Sequence, residues 1–189
     1  MNRDTPRIRR IVTGHDEDGR SVILSDGPAP RAVPIDGRGG AFVELWTTRA
    51  TPAPIDRASG EPAEEGLHLH PPANGTRLRI VDFPPEDAGV LARLTPEVVR
   101  AVFTSINAGD SLPAGPAAHP LMHRTESVDY GIVLEGELVL VLDGGETALR
   151  AGDIVIQRGT NHAWANRSGK MARMAFILVH GAFEAELKR

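Results

Sequence analysis

The chain has 189 residues, 41% of them hydrophobic and 24% charged, with a formal net charge of −4. That length suits one domain with its own core, and so small a negative charge provides no long-range field toward nucleic acid or an anionic membrane. The 20 glycines, 15 prolines and 4% aromatics fit a turn-rich β protein, and the lack of cysteine excludes disulfides, thiolate nucleophiles and Cys-bound zinc or iron–sulfur sites, so any metal must sit on His, Asp or Glu.

In chain order, the basic start MNRDTPRIRRIVTG lacks the apolar run of a signal peptide, and no later stretch is long and apolar enough to span a bilayer. The expectation is a cytoplasmic protein whose partner is a small molecule or a second copy, with no nucleic-acid or membrane partner. RIRRIVT, the turn HDEDG and RSVILSDG predict a hairpin, and AFVELWTT predicts a third strand after GRGG. Residues 49–74, rich in proline, alanine and acids, predict a long surface loop. TRLRIVDF alternates as a strand and stops at Pro84-Pro85. Thr95, Pro96 and Glu97 then place a cap, a first-turn proline and an acid in order, and Val98, Val99, Val102, Phe103 and Ile106 follow at helical spacing. One short helix is expected there.

From Tyr130 onward the strands come quickly: YGIVL, ELVLVL, ETALR, DIVIQ, HAWAN and MARMAFILVH, separated by EG, DGG, AGD, RGTN and RSGK. Strands this closely spaced bury both sheet faces by closing into a small double-sheet barrel. The expected fold is all-β, a jelly-roll barrel over residues 111–189, with the strands, loop and helix of 1–110 packed on it as one compact domain. RIRRIVT and AFVELWTT lie outside the barrel segments and would leave strand edges open in a monomer, so a homodimer that pairs or covers them is expected.

The segments HRTESVDYGIVLEGE and AGDIVIQRGTNHAWAN resemble the two motifs of the cupin superfamily, over about residues 112 to 180. The first family motif runs His-x-His, then an acid, then glycine. Counting back from Gly136 puts the acid at Asp129 and the paired histidines at His123 and Thr125. Gly152, Gly159, His162 and Asn166 fit the second motif, with Gln157 where proline is usual and the glycine spacing one residue short. The whole chain is similar to single-domain bacterial cupins with an extra N-terminal sheet.

In family members with the full pattern, three histidines and a glutamate hold Fe, Mn, Ni or Zn. Here the resemblance implies one divalent metal of that group on His123, Asp129 and His162. Two histidines with one carboxylate still form the facial arrangement that suits non-haem iron and leaves positions open. Thr125 is too weak a ligand to replace an imidazole and is expected in the pocket, where Tyr130 and Gln157 are further hydrogen-bonding candidates. Glu126 or His119 could take the place of Asp129, while His68-x-His70, beside two prolines, is read as solvated loop. No nucleophile elbow or phosphate-binding loop occurs. The implied activity is metal-dependent chemistry on a small organic acid or ketone, by dioxygenation, decarboxylation, isomerisation or dehydration. The alternative is a barrel that binds a small ligand and catalyses nothing.

Overall fold

A computed structural model describes residues 8–35, 38–57 and 66–188. Its strands are β1 (Arg9–His15), β2 (Ser21–Pro28), β3 (Arg31–Pro34), β4 (Ala41–Thr48), β5 (Thr76–Phe83), β6 (Ser127–Glu135), β7 (Glu137–Leu142), β8 (Gly145–Arg150), β9 (Ile154–Arg158), β10 (His162–Ala165) and β11 (Ala172–His180). The protein is mostly β, as the sequence predicts, and its helices are the one-turn α1 (Ala88–Leu91) and the longer α2 (Pro96–Ser105). Among the described residues no helix is long and apolar enough to cross a membrane.

Two antiparallel sheets face each other across the core. One has six strands in the order β3-β4-β5-β11-β6-β9, and the other has three, β10-β7-β8. Between them lie Val81, Val133, Leu138, Leu140, Met174, Phe176 and Leu178, all buried. Alternation along β11 decides which face this is. Met174, Phe176 and Leu178 are buried, while Arg173, Ala175, Ile177 and Val179 between them are only partly so. Removing each large apolar side chain from water contributes about 1.5–3 kcal/mol, so this layer is the main source of stability. A second cluster, Met122, Val141, Ala163 and Ala165, covers the back of the small sheet.

AFVELWTT is not an open edge. As β4 it pairs with β3 on one side and β5 on the other, and so joins the larger sheet. RIRRIVT contributes β1, which pairs with β2 in a separate two-stranded sheet. That hairpin is tied to the outer face of the large sheet by Arg10, whose guanidinium donates to the Leu45 carbonyl at 2.9 Å and sits 5.8 Å from the Trp46 ring.

Helix α2 begins where the sequence places it: the Thr95 hydroxyl accepts from the Val98 N–H, with Pro96 at the first helical position. Its buried residues, Val99 and Phe103, pack on Leu69 and Ala108. Leu69 also donates its N–H to the Ile106 carbonyl at 3.0 Å. This corrects the solvated-loop reading of residues 66–71. Residues 51–57 are exposed, but Leu67, Leu69 and Pro71 are buried, and residues 58–65 lie outside the described chain. The cause is two arginines on the inner face of β5: Arg79 donates to the His68 carbonyl and Arg77 Nε to the His70 carbonyl, the latter at 3.1 Å.

Candidate functional site

His123 and His162 are brought face to face by the backbone. Each donates its N–H to the other's carbonyl, at 2.9 and 2.8 Å, which makes them directly opposed partners of an antiparallel bridge. Such partners put their side chains on the same side, and the ring centroids lie 4.4 Å apart. Phe103 flanks the His123 ring at 5.2 Å, and Trp164, two residues along β10, flanks His162 at 5.5 Å. The row of rings continues from Trp164 to Phe176 in the core.

The tautomers follow from the hydrogen bonds. Nδ1 of His123 lies 2.9 Å from the Leu121 carbonyl and Nδ1 of His162 lies 2.9 Å from the Thr160 carbonyl. A carbonyl only accepts, so Nδ1 carries the proton in both rings and each neutral ring keeps its lone pair on Nε2. Among the described residues both rings make their hydrogen bonds through Nδ1, which leaves Nε2 without one. Burial pushes the His123 pKa down to about 4, with the nearby His70 adding to the effect, although Leu121 opposes it. Burial and the neighbouring His123 push His162 down to about 3. Both rings are neutral at pH 7.

Asp129 stands on the inner face of β6, opposite Leu178 of β11 and Gln157 of β9. It is buried, and its Oδ1 has no hydrogen-bond partner among the described residues. Burial raises its pKa to about 6, against hydrogen bonding from Ser127 and Thr125 and the field of Arg79. Thr125 and Ser127 are joined hydroxyl to hydroxyl at 2.7 Å. Among the described residues no three His, Asp or Glu side chains are gathered closely enough to hold a metal ion. The structure thus brings His123 and His162 together and leaves Asp129 outside that pair.

The remaining candidates are placed as follows. Glu126 is exposed, and its carboxylate accepts the Phe183 N–H at 2.7 Å. His119 is buried with both ring nitrogens engaged, Nε2 at 2.8 Å from the Glu86 carboxylate and Nδ1 accepting the Leu121 N–H at 3.2 Å. Tyr130 is 44% exposed. It neighbours Asp129 on a regular strand and so points to the outer face, which removes it from the pocket. Gln157 is buried, but both ends of its amide are committed to Thr160: Nε2 donates to the Thr160 carbonyl at 3.1 Å, and the Thr160 hydroxyl donates to Oε1. His70 meets Ser111 Oγ at 2.9 Å and Asp110 at 3.5 Å through the same Nε2, so these three do not form a proton relay. With Ser111, Arg124, Asn161 and His180, His70 lines an open cleft of about 950 Å³.

One group escaped the sequence reading. Glu44 of β4 is buried between Arg77, at 3.2 Å, and Arg79, at 3.1 Å. Opposition of Arg79 to Phe176 and of Arg77 to Leu178 places both guanidiniums on the core side of β5. Their alternation with Leu78 and Ile80 reads as a solvent face, and no local signal gives the opposite parity.

Two facing antiparallel sheets on strands separated by glycine turns, with half-buried His123 set against buried His162 at one end, define a double-sheet β barrel. The Cupin domain family matches residues 108–180. Phomopsin biosynthesis cluster protein C' of Diaporthe leptostromiformis is 34% identical over 188 residues, covering 95% of this chain and 83% of that protein. The cupin-domain-containing oxidoreductase fogC of Aspergillus ruber is 32% identical over 181 residues, covering 92% and 72%. The chain belongs to the cupin family. These relatives are fungal, where the motifs suggested a bacterial group. Among solved structures, the Schizosaccharomyces pombe Cnp3 cupin domain aligns with a TM-score of 0.44 at 9% identity, over 93% of this chain and 89% of that one.

Proposed function

We propose that this protein is an enzyme acting on a small organic acid or ketone inside the barrel, with His123 and His162 as its working pair. The observation that carries this is their matched state: two neutral rings 4.4 Å apart, each fixed through Nδ1 to a backbone carbonyl, with both Nε2 lone pairs free. The name of the fogC relative, a cupin-domain-containing oxidoreductase, supports an enzymatic reading.

The two imidazoles are donors that suit a divalent ion of the Fe, Mn, Ni or Zn group, and the backbone carbonyls behind them orient their rings toward one, while among the described residues no third His, Asp or Glu stands close enough to join them. Held on the two Nε2 atoms, such an ion would supply Lewis acidity toward a substrate carbonyl or carboxylate. The other coordination positions would fall to water or substrate. Phe103 and Trp164 wall the pair on its two outer sides. Asp129, with Oδ1 free and its pKa near 6, is suited to accept or return a proton, and the Thr125–Ser127 hydroxyl pair steadies it.

The test is metal content and affinity, with Fe, Mn, Ni and Zn offered in turn, for wild type, His123→Ala, His162→Ala and Asp129→Ala, with melting temperature as control. The expected result is one metal per chain, lost in either histidine variant and kept in Asp129→Ala. A wild type that takes up none of the four overturns the metal reading. The position of Asp129 outside the pair would then favour the second reading, a barrel that binds a small ligand without catalysis.

A further inference from the structure

The carbonyl that fixes His123 belongs to a turn. The His119 carbonyl accepts the Met122 N–H at 3.1 Å, which closes a turn over residues 119–122, and Leu121 within it sets its own carbonyl on Nδ1 of His123 at 2.9 Å. A side chain closes the same turn a second time. Nδ1 of His119 accepts the Leu121 N–H at 3.2 Å, so Leu121 is held by one histidine at its N–H and holds another through its carbonyl. An amide N–H only donates, so His119 keeps a lone pair on Nδ1 and carries its proton on Nε2, which lies 2.8 Å from the Glu86 carboxylate. His119 is therefore the opposite tautomer to His123 and His162. Glu86 selects it, because an ionised carboxylate at Nε2 accepts and cannot donate.

Glu86 is itself anchored just beyond β10. Its N–H donates to the Asn166 carbonyl at 2.7 Å, and the Asn166 amide donates to the Phe83 and Lys170 carbonyls, both at 2.7 Å. Arg167 stands 3.9 Å from the second carboxylate oxygen. His119 and Asn166 are both buried, and in such surroundings a removed acceptor leaves a costly unsatisfied donor behind.

We infer that Glu86 and His119 are positioning residues for the histidine pair. They fix the turn that presents the Leu121 carbonyl, and through that carbonyl they hold His123 in the Nδ1–H tautomer with Nε2 open. The functional weight of this rests on the reading of His123 and His162 as a working pair, since a neutral ring with its proton on Nε2 has no lone pair to offer there. The two rings are fixed by separate devices, His123 by Glu86 and His119, His162 by the Gln157–Thr160 turn. His162 is thus an internal control for His123.

The experiment is nitrogen NMR of the imidazole rings together with amide hydrogen exchange at Leu121, on the full chain free of metal and substrate. A failure of the enzymatic reading leaves these measurements unchanged. Wild type is expected to show Nε2–H at His119 and Nδ1–H at His123 and His162. His119→Leu removes the acceptor, and is expected to raise the Nε2–H tautomer of His123 about tenfold and to speed exchange of the Leu121 N–H roughly tenfold, with His162 unmoved. His119→Asn is the rescue, because an asparagine oxygen accepts the N–H two residues on in an Asx turn. It should return both measurements to wild type. Glu86→Leu leaves His119 in place without its proton acceptor, and is expected to give that ring both tautomers and to move His123 in the same direction. A wild-type His119 protonated on Nδ1 overturns the proposal and needs no variant to detect. A His119→Leu chain with the His123 tautomer and Leu121 exchange of wild type overturns it too, as does one in which His162 shifts as far as His123.

Discussion

The Thr160 carbonyl accepts two hydrogen bonds, one from Nδ1 of His162 and one from the Gln157 amide. Gln157 stands where the family motif has proline, a residue that would stiffen the turn through its ring. The amide achieves the same end by bridging Gln157 to Thr160 across the turn, and it bears on His162 through the carbonyl they share. Gln157 is therefore a positioning residue. Gln157→Leu is expected to destabilise the barrel by about 1 kcal/mol, since it removes both bonds that tie the buried Gln157 amide to Thr160 at the exposed turn. The sharper readout is nitrogen NMR of the His162 ring. Wild type should show one fixed Nδ1–H tautomer, and the variant a mixture of both. An unchanged tautomer with only lowered stability would assign Gln157 to the turn alone.

Turns and strand parity separate what was legible in the sequence from what was not. Gly136, between β6 and β7, was visible in the EG punctuation because its backbone must reverse at φ 76°, where a side chain is strained. A Cβ there would also lie 2.7 Å from the Met171 carbonyl oxygen and 2.9 Å from Ala172 Cα. Gly136→Ala is expected to lose about 2–3 kcal/mol in urea unfolding. Gly144→Ala, where a Cβ meets nothing within 4 Å, should stay within about 0.5 kcal/mol of wild type. Equal losses at the two glycines would remove close packing from the explanation. The strands after Tyr130, helix α2 and the opposed histidines were legible in the same way, because turn residues, caps and motif spacing are local. The parity of β5 was not. Arg77 and Arg79 face inward because Glu44 meets them from β4, and a partner thirty-odd residues away leaves no mark on TRLRIVDF. The packed state of His68 and His70 escaped notice for the same reason, since those arginines hold that segment's carbonyls.

For the molecule as a whole, the largest pKa displacements, those of His123, His162 and Asp129, oppose one another and so shape how stability depends on pH near pH 5. His123 and His162 ionise near 6.5 when unfolded but only near 4 and 3 when folded. Their contribution is complete above pH 6.5 and falls away as acid protonates the unfolded chain first. Asp129 acts in the opposite sense. Its carboxyl titrates near 3.8 unfolded and near 6 folded, so its contribution is complete below pH 3.8 and is lost as pH rises through 6. Near pH 5 the unfolded chain holds about two extra protons on the histidines while the folded chain holds about one extra on Asp129, a net difference of about one. Metal-free wild type should therefore lose about 1.4 kcal/mol per pH unit between pH 5.5 and 4.8. Asp129→Asn removes the opposing proton and should steepen that slope to about 2.7 kcal/mol per unit. The same variant should be more stable than wild type at pH 8, by up to about 3 kcal/mol, because it no longer buries a carboxylate with a free oxygen. Urea unfolding midpoints at pH 4.8, 5.5 and 8, taken with a chelator present, measure all three quantities. A variant slope equal to or shallower than wild type would mean that Asp129 is already ionised in the folded barrel at pH 5, and with it would fall its role as a proton carrier beside the histidine pair.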